Sequence, residues 1–268
     1  MPALLTLRGT AATIVGMTRA QLPTGTVVSV NGLAKSFRKV AALEDVTFSI
    51  EANEAFGILG PNGAGKTTTV ECVAGTLRPD AGRVTVLGVD PAEDRETVRG
   101  RVGYQLQAAA LPPALRVEEA LRLFAAFYPE PADVPDLLRT VGLDQHRKRP
   151  FGKLSGGQKQ RLSIALALVG NPDVVVFDEL TTGLDPQGRR DVRQLIQQVK
   201  DEGITVVLVT HYLDDVERLC DRLAIIDAGR TRFVGTTAEL LAVSGTGTGG
   251  PGGLEDAYLA FIEQTTAD

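Results

Sequence analysis

The chain has 268 residues, 43% hydrophobic and 23% charged, an ordinary globular composition with room for one large α/β domain or two small ones. A formal net charge of −5 argues against a dedicated nucleic-acid binder, and no apolar run reaches the length of about 18 that a membrane-spanning helix needs. Cys72 and Cys220 have no metal-ligand spacing and read as buried free thiols of a reducing cytoplasm. In chain order, residues 1–25 open with MPALLTLRGTAATIVGM, in which Arg8 interrupts the apolar run and no convincing cleavage site follows. They are expected to be a disordered leader, with Met17 as an internal candidate start.

Residues 27–30, 46–50 and 55–59 alternate in short apolar pieces and predict strands. From Thr67, the spacing of Val70, Val73, Ala74 and Leu77 predicts an amphipathic helix. A strand is expected over 83–89 and helices over 117–128 and 133–141, followed by a helix carrying Leu162, Ala165, Leu166 and Val169. Strand 173–178, helix 187–200, strand 204–210, a helix from about Tyr212 and strand 222–227 come next. Buried Val and Ile runs alternating with amphipathic helices imply a mostly parallel sheet covered on both faces. Residues 243–253 (VSGTGTGGPGG) read as a flexible linker before a terminal helix within 254–268.

Gly60-Pro61-Asn62-Gly63-Ala64-Gly65-Lys66-Thr67 matches G-x-x-x-x-G-K-[ST] in full, after a strand and before a helix. Its glycines let backbone N–H groups surround phosphate oxygens, and the helix N-terminus favours negative charge. Lys66 would reach the β- and γ-phosphates and the Thr67 hydroxyl would bind Mg²⁺, with Thr68 beside them in the nucleotide site. No Asn-Lys-x-Asp motif is present, so ATP is favoured over GTP.

Leu154-Ser155-Gly156-Gly157-Gln158 begins a helix. Ser155 and Gln158 alone form a capping box. Capping does not account for two glycines in a first turn, which cost up to about 1 kcal/mol each relative to Ala. Close approach of an anion to the backbone would account for them. With the phosphate loop, this LSGGQ stretch resembles the ATP-binding cassette (ABC) ATPases over about residues 26–235. The resemblance implies a P-loop α/β fold with a mostly parallel core sheet, an N-terminal antiparallel β subdomain and an inserted α-helical subdomain, about 108–165, in an ATPase domain of 26–242. It also implies a head-to-tail pair of subunits with two ATP molecules between them, each γ-phosphate facing Ser155, Gly156, Gly157 and Gln158 of the other chain. With one copy of each motif here, a homodimer would form two equivalent complete sites, and a heterodimer with another ATPase stays open.

Other roles follow from the same resemblance. Phe37 sits where the family stacks an aromatic ring, usually Tyr, on adenine; from the residues alone a strand-core position is equally open. Gly103-Tyr104-Gln105-Leu106-Gln107 makes Gln107 the residue that senses Mg²⁺ and the attacking water, with Gln105 as the alternative register. His211 matches the family's switch histidine, whereas His146, in DQHRKRP, reads as solvated surface. In VVVFDELTTGLDP, Asp178 and Glu179 would be either the solvated end of a buried strand or a Mg²⁺ ligand beside a catalytic base, and the accompanying motifs favour the second. Asp185 corresponds to the subunit-contact loop. Leu180 departs from the family's usual proline, so the backbone constraint on Glu179 must come from packing.

With one cassette and no membrane span, the chain resembles the separate ATPase subunit of a transporter, and Thr210-His211-Tyr212-Leu213-Asp214-Asp215-Val216-Glu217 and Leu254-Glu255-Asp256-Ala257-Tyr258-Leu259 look most like the drug-resistance and ABC-2-type exporters. The expected place is the cytoplasmic face of the plasma membrane, peripheral through a transmembrane permease subunit, with no nucleic acid. A non-transport ABC ATPase acting on ribosomes or DNA is the alternative from another class, and a stand-alone P-loop kinase or GTPase leaves LSGGQ unexplained.

Overall fold

In a computed structural model, residues 25–38, 40–105, 111–244 and 253–266 are described. The leader lies outside them but for Gly25. The chain enters as a long antiparallel pair, β1 (Thr26–Phe37) and β2 (Val40–Glu51), with Val46, Phe48 and Ile50 buried at every second position. Then follow β3 (Ala55–Leu59), α1 (Lys66–Val73), β4 (Ala81–Val86), α2 (Arg95–Arg101) and β5 (Val102–Tyr104). Between β5 and the next strand lie α3 (Val117–Ala125), α4 (Val134–Thr140), two single 3₁₀ turns at Asp144–His146 and Phe151–Lys153, and α5 (Gly156–Leu168). The chain continues through β6 (Val174–Asp178), α6 (Pro186–Asp201), β7 (Thr205–Val209), α7 (Leu213–Leu219), β8 (Arg222–Asp227), β9 (Arg230–Gly235), α8 (Thr237–Val243) and α9 (Gly253–Thr266).

The strands form one sheet in the order β4-β1-β2-β9-β8-β3-β7-β6-β5. From β8 to β5 every pairing is parallel, while β1 pairs antiparallel with both β2 and β4. Strands β3, β6 and β7 are buried at every residue, as strands covered on both faces must be. Alternation along β6 divides the core. Val174 and Val176 pack towards α1 with Val70 and Val73, whereas Val175 and Phe177 pack towards α5 and α6 with Ile164, Leu195 and Ile196. Each such side chain contributes about 1.5–3 kcal/mol on burial, so these two layers hold the carboxyl ends of the strands in place. The register pairs Ile58 and Asp178 with Val209, which sets Gly60, Asp178 and His211 along one edge of the sheet.

Several elements differ from the periodicity. The strand expected to reach Val89 ends at Val86, because Leu87 and Gly88 take φ of 51° and 81° and fold Val89 back onto Val86. Strand β9 was hidden by the sequence RTRFVG, whose polar residues sit half exposed. It joins β8 through Ala228 and Gly229, both at positive φ as a two-residue hairpin turn requires. Helix α3 stops at Ala125, three residues short of the expected end. Val243 and Gly253, at the two ends of the stretch read as linker, belong to α8 and α9; residues 245–252 lie outside the described ones.

Candidate functional site

The phosphate loop spans the turn from β3 to α1. Gly65 sits at the N-cap of α1 with φ 101°, where no side chain caps the helix and the first N–H groups are left for a ligand. A Cβ there would lie 2.5 Å from Leu43 Cδ2 and 2.6 Å from the Ala42 carbonyl, and one on Gly60 would lie 2.0 Å from the Ile226 carbonyl. Both glycines are therefore demanded by close packing as well as by backbone angle. Lys66 is 8% exposed and folds its Nζ onto the carbonyls of Gly60 (2.7 Å) and Pro61 (2.9 Å). Burial pushes its pKa below the ordinary ammonium range, with Glu179 and Asp178 pulling the other way.

At the carboxyl end of β6, Asp178 is 2% exposed and accepts a 3.2 Å hydrogen bond from Thr67 Oγ1. Burial pushes its carboxyl above the usual range; the Thr67 bond opposes this and the Glu179 charge adds to it. Glu179 takes φ 51°, a left-handed conformation rare outside Gly, Asn and Asp. Its N–H donates to Val209 O at 2.9 Å, and its Oε1 lies 3.3 Å from His211 Nδ1. Leu180 is 1% exposed within the α5/α6 core layer, so buried packing anchors the residue after Glu179. A proline at 180 would drive Glu179 towards the extended region; leucine leaves the left-handed angle open.

Ser155 caps α5 with a full capping box: its Oγ accepts from Gln158 N–H at 3.3 Å, and its own N–H donates to Gln158 Oε1 at 3.0 Å. A Cβ on Gly156 or Gly157 would meet nothing within 4 Å. Asp185 caps α6 through Gly188 N–H at 2.7 Å, with Pro186 in the first turn. Ser155, Gly156, Gly157, Gln158 and Asp185 line a cavity of about 500 Å³ that none of Lys66, Thr67, Asp178 or Glu179 lines. The motifs thus form two separate half-sites on one chain.

Residues 43–182 match the family described as ABC transporter. The Nod factor export ATP-binding protein I of Ralstonia nicotianae is 39% identical over 220 residues, 80% of this chain and 68% of the relative. The chain belongs to the ABC transporter ATPases. The linearmycin resistance ATP-binding protein LnrL of Bacillus subtilis is 33% identical, over 83% of this chain and 73% of its own length. Among solved structures, an ATP-binding subunit of an ABC transporter aligns with TM-score 0.79 and 30% identity, covering 88% of this chain and all of that one. A bacterial ABC transporter cassette solved as a dimer aligns with TM-score 0.71 and 25% identity, over 78% and 98%.

In this ABC ATPase, Phe37 is 46% exposed at the end of β1 with Lys35 Nζ 5.9 Å from its ring centre, which removes the strand-core alternative. Gln107 lies outside the described residues. Gln105 follows the last residue of β5, and strand alternation carried on from Gly103, whose Cβ would lie 2.1 Å from Ala167 O on α5, puts it on the face opposite to Asp178. Its Oε1 is buried without a partner. His146 borders the cavity at Ser155 and is half-buried, whereas its loop had read as solvated surface. Among the described residues, no group of three or more His, Cys, Asp or Glu is arranged to hold a metal, and no helix is long and apolar enough to cross a membrane. Sequence reasoning passed over Arg189, Arg193 and Asp215, which tie the segment after Glu179 to α7; Asp215 is 1% exposed. An unremarkable Arg-rich helix face gave no signal for them.

Proposed function

We propose that this ABC ATPase drives an exporter, working as a head-to-tail homodimer at the cytoplasmic face of the plasma membrane beneath a separate transmembrane permease subunit. The export and resistance names of its relatives support the direction of transport. The observation that carries the pairing is the division of the motifs into two half-sites, with a Cβ on Gly156 or Gly157 meeting nothing within 4 Å among the described residues.

In this reading Phe37 stacks on adenine, and the N–H groups of Gly60 to Thr68 bind the phosphates. Lys66 leaves the carbonyls of Gly60 and Pro61 for the β- and γ-phosphates, a move eased by its partly desolvated ammonium. Thr67 and Asp178 supply hard oxygen donors at one point, and the buried Asp178 carboxylate lacks a full positive counterpart, so the pair fits Mg²⁺. Bound there, Mg²⁺ would neutralise charge developing on the phosphate oxygens. The family resemblance assigns Gln107 to the same metal and water. Glu179 accepts a proton from the water attacking the γ-phosphorus as the bond to ADP oxygen breaks, giving ADP and inorganic phosphate. His211 orients Glu179 and shares the charge. The partner's LSGGQ turn, Ser155 to Gln158, closes over the γ-phosphate, and the Asp185 loop seats the two chains.

Glu179→Gln tests the assignment. General-base loss should lower turnover about 10²–10⁴-fold. ATP binding should persist, and ATP should hold the variant as a dimer in size-exclusion chromatography. Normal steady-state turnover would remove Glu179 as base, and failure to dimerise with ATP would remove the paired site.

A further inference from the structure

Three rings and charges stack from α6 to the catalytic edge. The Arg189 guanidinium lies 4.9 Å from the Tyr212 ring centre. Tyr212 in turn lies against the His211 imidazole, 4.1 Å between centres at a 36° tilt. His211 Nδ1 then meets Glu179 Oε1 at 3.3 Å. At its other end, Arg189 Nε donates to Leu184 O at 3.3 Å, and Leu184 neighbours Asp185 on the half-site cavity. A continuous path of contacts therefore joins the loop before α6 to the carboxylate proposed as base.

A second tie holds the frame around this stack. Buried Thr181 donates its hydroxyl to Asp215 on α7, and Arg193 of α6 spans Asp214 and Asp215. With α7 held to α6 in this way, a shift of Leu184 is taken up by Arg189. The His211 side chain itself is 40% exposed. Its ring direction is set by the face of Tyr212 and by Glu179.

We infer that Arg189 and Tyr212 are positioning residues, which aim His211 at Glu179 according to how a second copy of this chain seats against loop 182–185. The inference rests on the assignment of Glu179 and His211 given above. It makes hydrolysis depend on pairing through a contact within each chain, in addition to the LSGGQ turn supplied by the other.

The test is steady-state ATP hydrolysis by the purified full chain, with ATP binding and thermal unfolding measured alongside. Arg189→Ala and Tyr212→Ala should each lower kcat about tenfold, while KM for ATP stays within about twofold, because misplacement affects the reacting geometry and not the phosphate loop. The double variant should be no slower than either single one, since both break the same path. Tyr212→Phe keeps the ring face and should restore the rate to within about twofold of wild type, and Arg189→Lys should restore part of it. If Arg189→Ala unfolds, Arg189→Met keeps the stem and removes only the charge. Additive losses, a parallel rise in KM, or a Tyr212→Phe variant as slow as Tyr212→Ala would overturn the inference. His211→Ala separates the two levels: full activity in that variant overturns the underlying site, whereas its inactivity beside wild-type rates in Arg189→Ala and Tyr212→Ala overturns the relay alone.

Discussion

Replacing Asp178 by Asn should make the nucleotide-free protein more stable while removing the Mg²⁺ ligand of the proposed mechanism. Asp178 is 2% exposed, has one hydrogen-bond donor in Thr67 at 3.2 Å, and sits beside the like charge of Glu179. The nearest cation, Lys66, turns its ammonium to the carbonyls of Gly60 and Pro61. Asn keeps the shape and can still accept from Thr67, so the substitution removes an under-compensated charge, worth roughly 1–3 kcal/mol. For a domain of this size that is about 2–4 °C in Tm per kcal/mol. The pH dependence has a definite sign. Because burial raises the Asp178 pKa, the folded protein holds the proton more tightly than the unfolded chain. Wild type is thus relatively most stable below the ordinary carboxylate range and loses that advantage as pH rises through the raised value. The gap between the Asp178→Asn variant and wild type should be full at neutral pH and vanish on acidification towards the ordinary value of 3.8. Thermal unfolding of both proteins across that range, without nucleotide and then with Mg²⁺ and ATP, is the assay. With ligand the gap should shrink or invert, since wild type gains the larger binding free energy. A variant less stable than wild type, or a gap that does not change with pH, refutes the reasoning.

The Gln105→Leu variant should be about 1–2 kcal/mol more stable in denaturant unfolding, because it removes a buried carbonyl oxygen without a partner; loss of stability would mean that Oε1 is satisfied. Gly157→Ala should leave stability unchanged or raise it by up to about 1 kcal/mol, as a Cβ there meets nothing within 4 Å. Its ATP hydrolysis should nonetheless fall at least about tenfold if another chain closes on that turn; retained hydrolysis would refute this. Leu180→Pro should push Glu179 out of φ 51° and lower kcat about fivefold or more with ATP affinity unchanged, and an unchanged rate would make the left-handed angle incidental.

The central strands and their helices were legible because their burial is complete and their periods unmixed, as in VVVFD and TVVLV. The phosphate loop was legible because its glycines answer a local steric demand at Leu43, Ala42 and Ile226. Strand β9 was not, because its alternation is faint and Ala228 occupies a turn position usually marked by Asn or Asp. The ties of Arg189, Arg193 and Asp215 depend on how α6 and α7 pack, which no spacing within either helix encodes, whereas the separation of LSGGQ from the phosphate loop was expected from the family resemblance.

Several departures from local rules fall at the proposed site, and their directions separate function from accident. Asp178 buries a charge, Glu179 holds φ 51°, and Gly156 and Gly157 weaken a helix start with nothing in their own chain to require it. On the proposed function each of these costs would be offset by something the isolated chain lacks: a cation beside Thr67, a reacting water before Glu179, a phosphate and a second subunit over the LSGGQ turn. Gln105 breaks a rule as well, but strand alternation from Gly103 puts it on the opposite face of the sheet from Asp178, towards α5, and the proposed reaction gives it no ligand. Its replacement should therefore stabilise without touching ATP turnover, whereas relief of strain at Asp178 or Gly157 should stabilise at the expense of turnover. That contrast distinguishes residues strained for the reaction from one that is merely poorly accommodated.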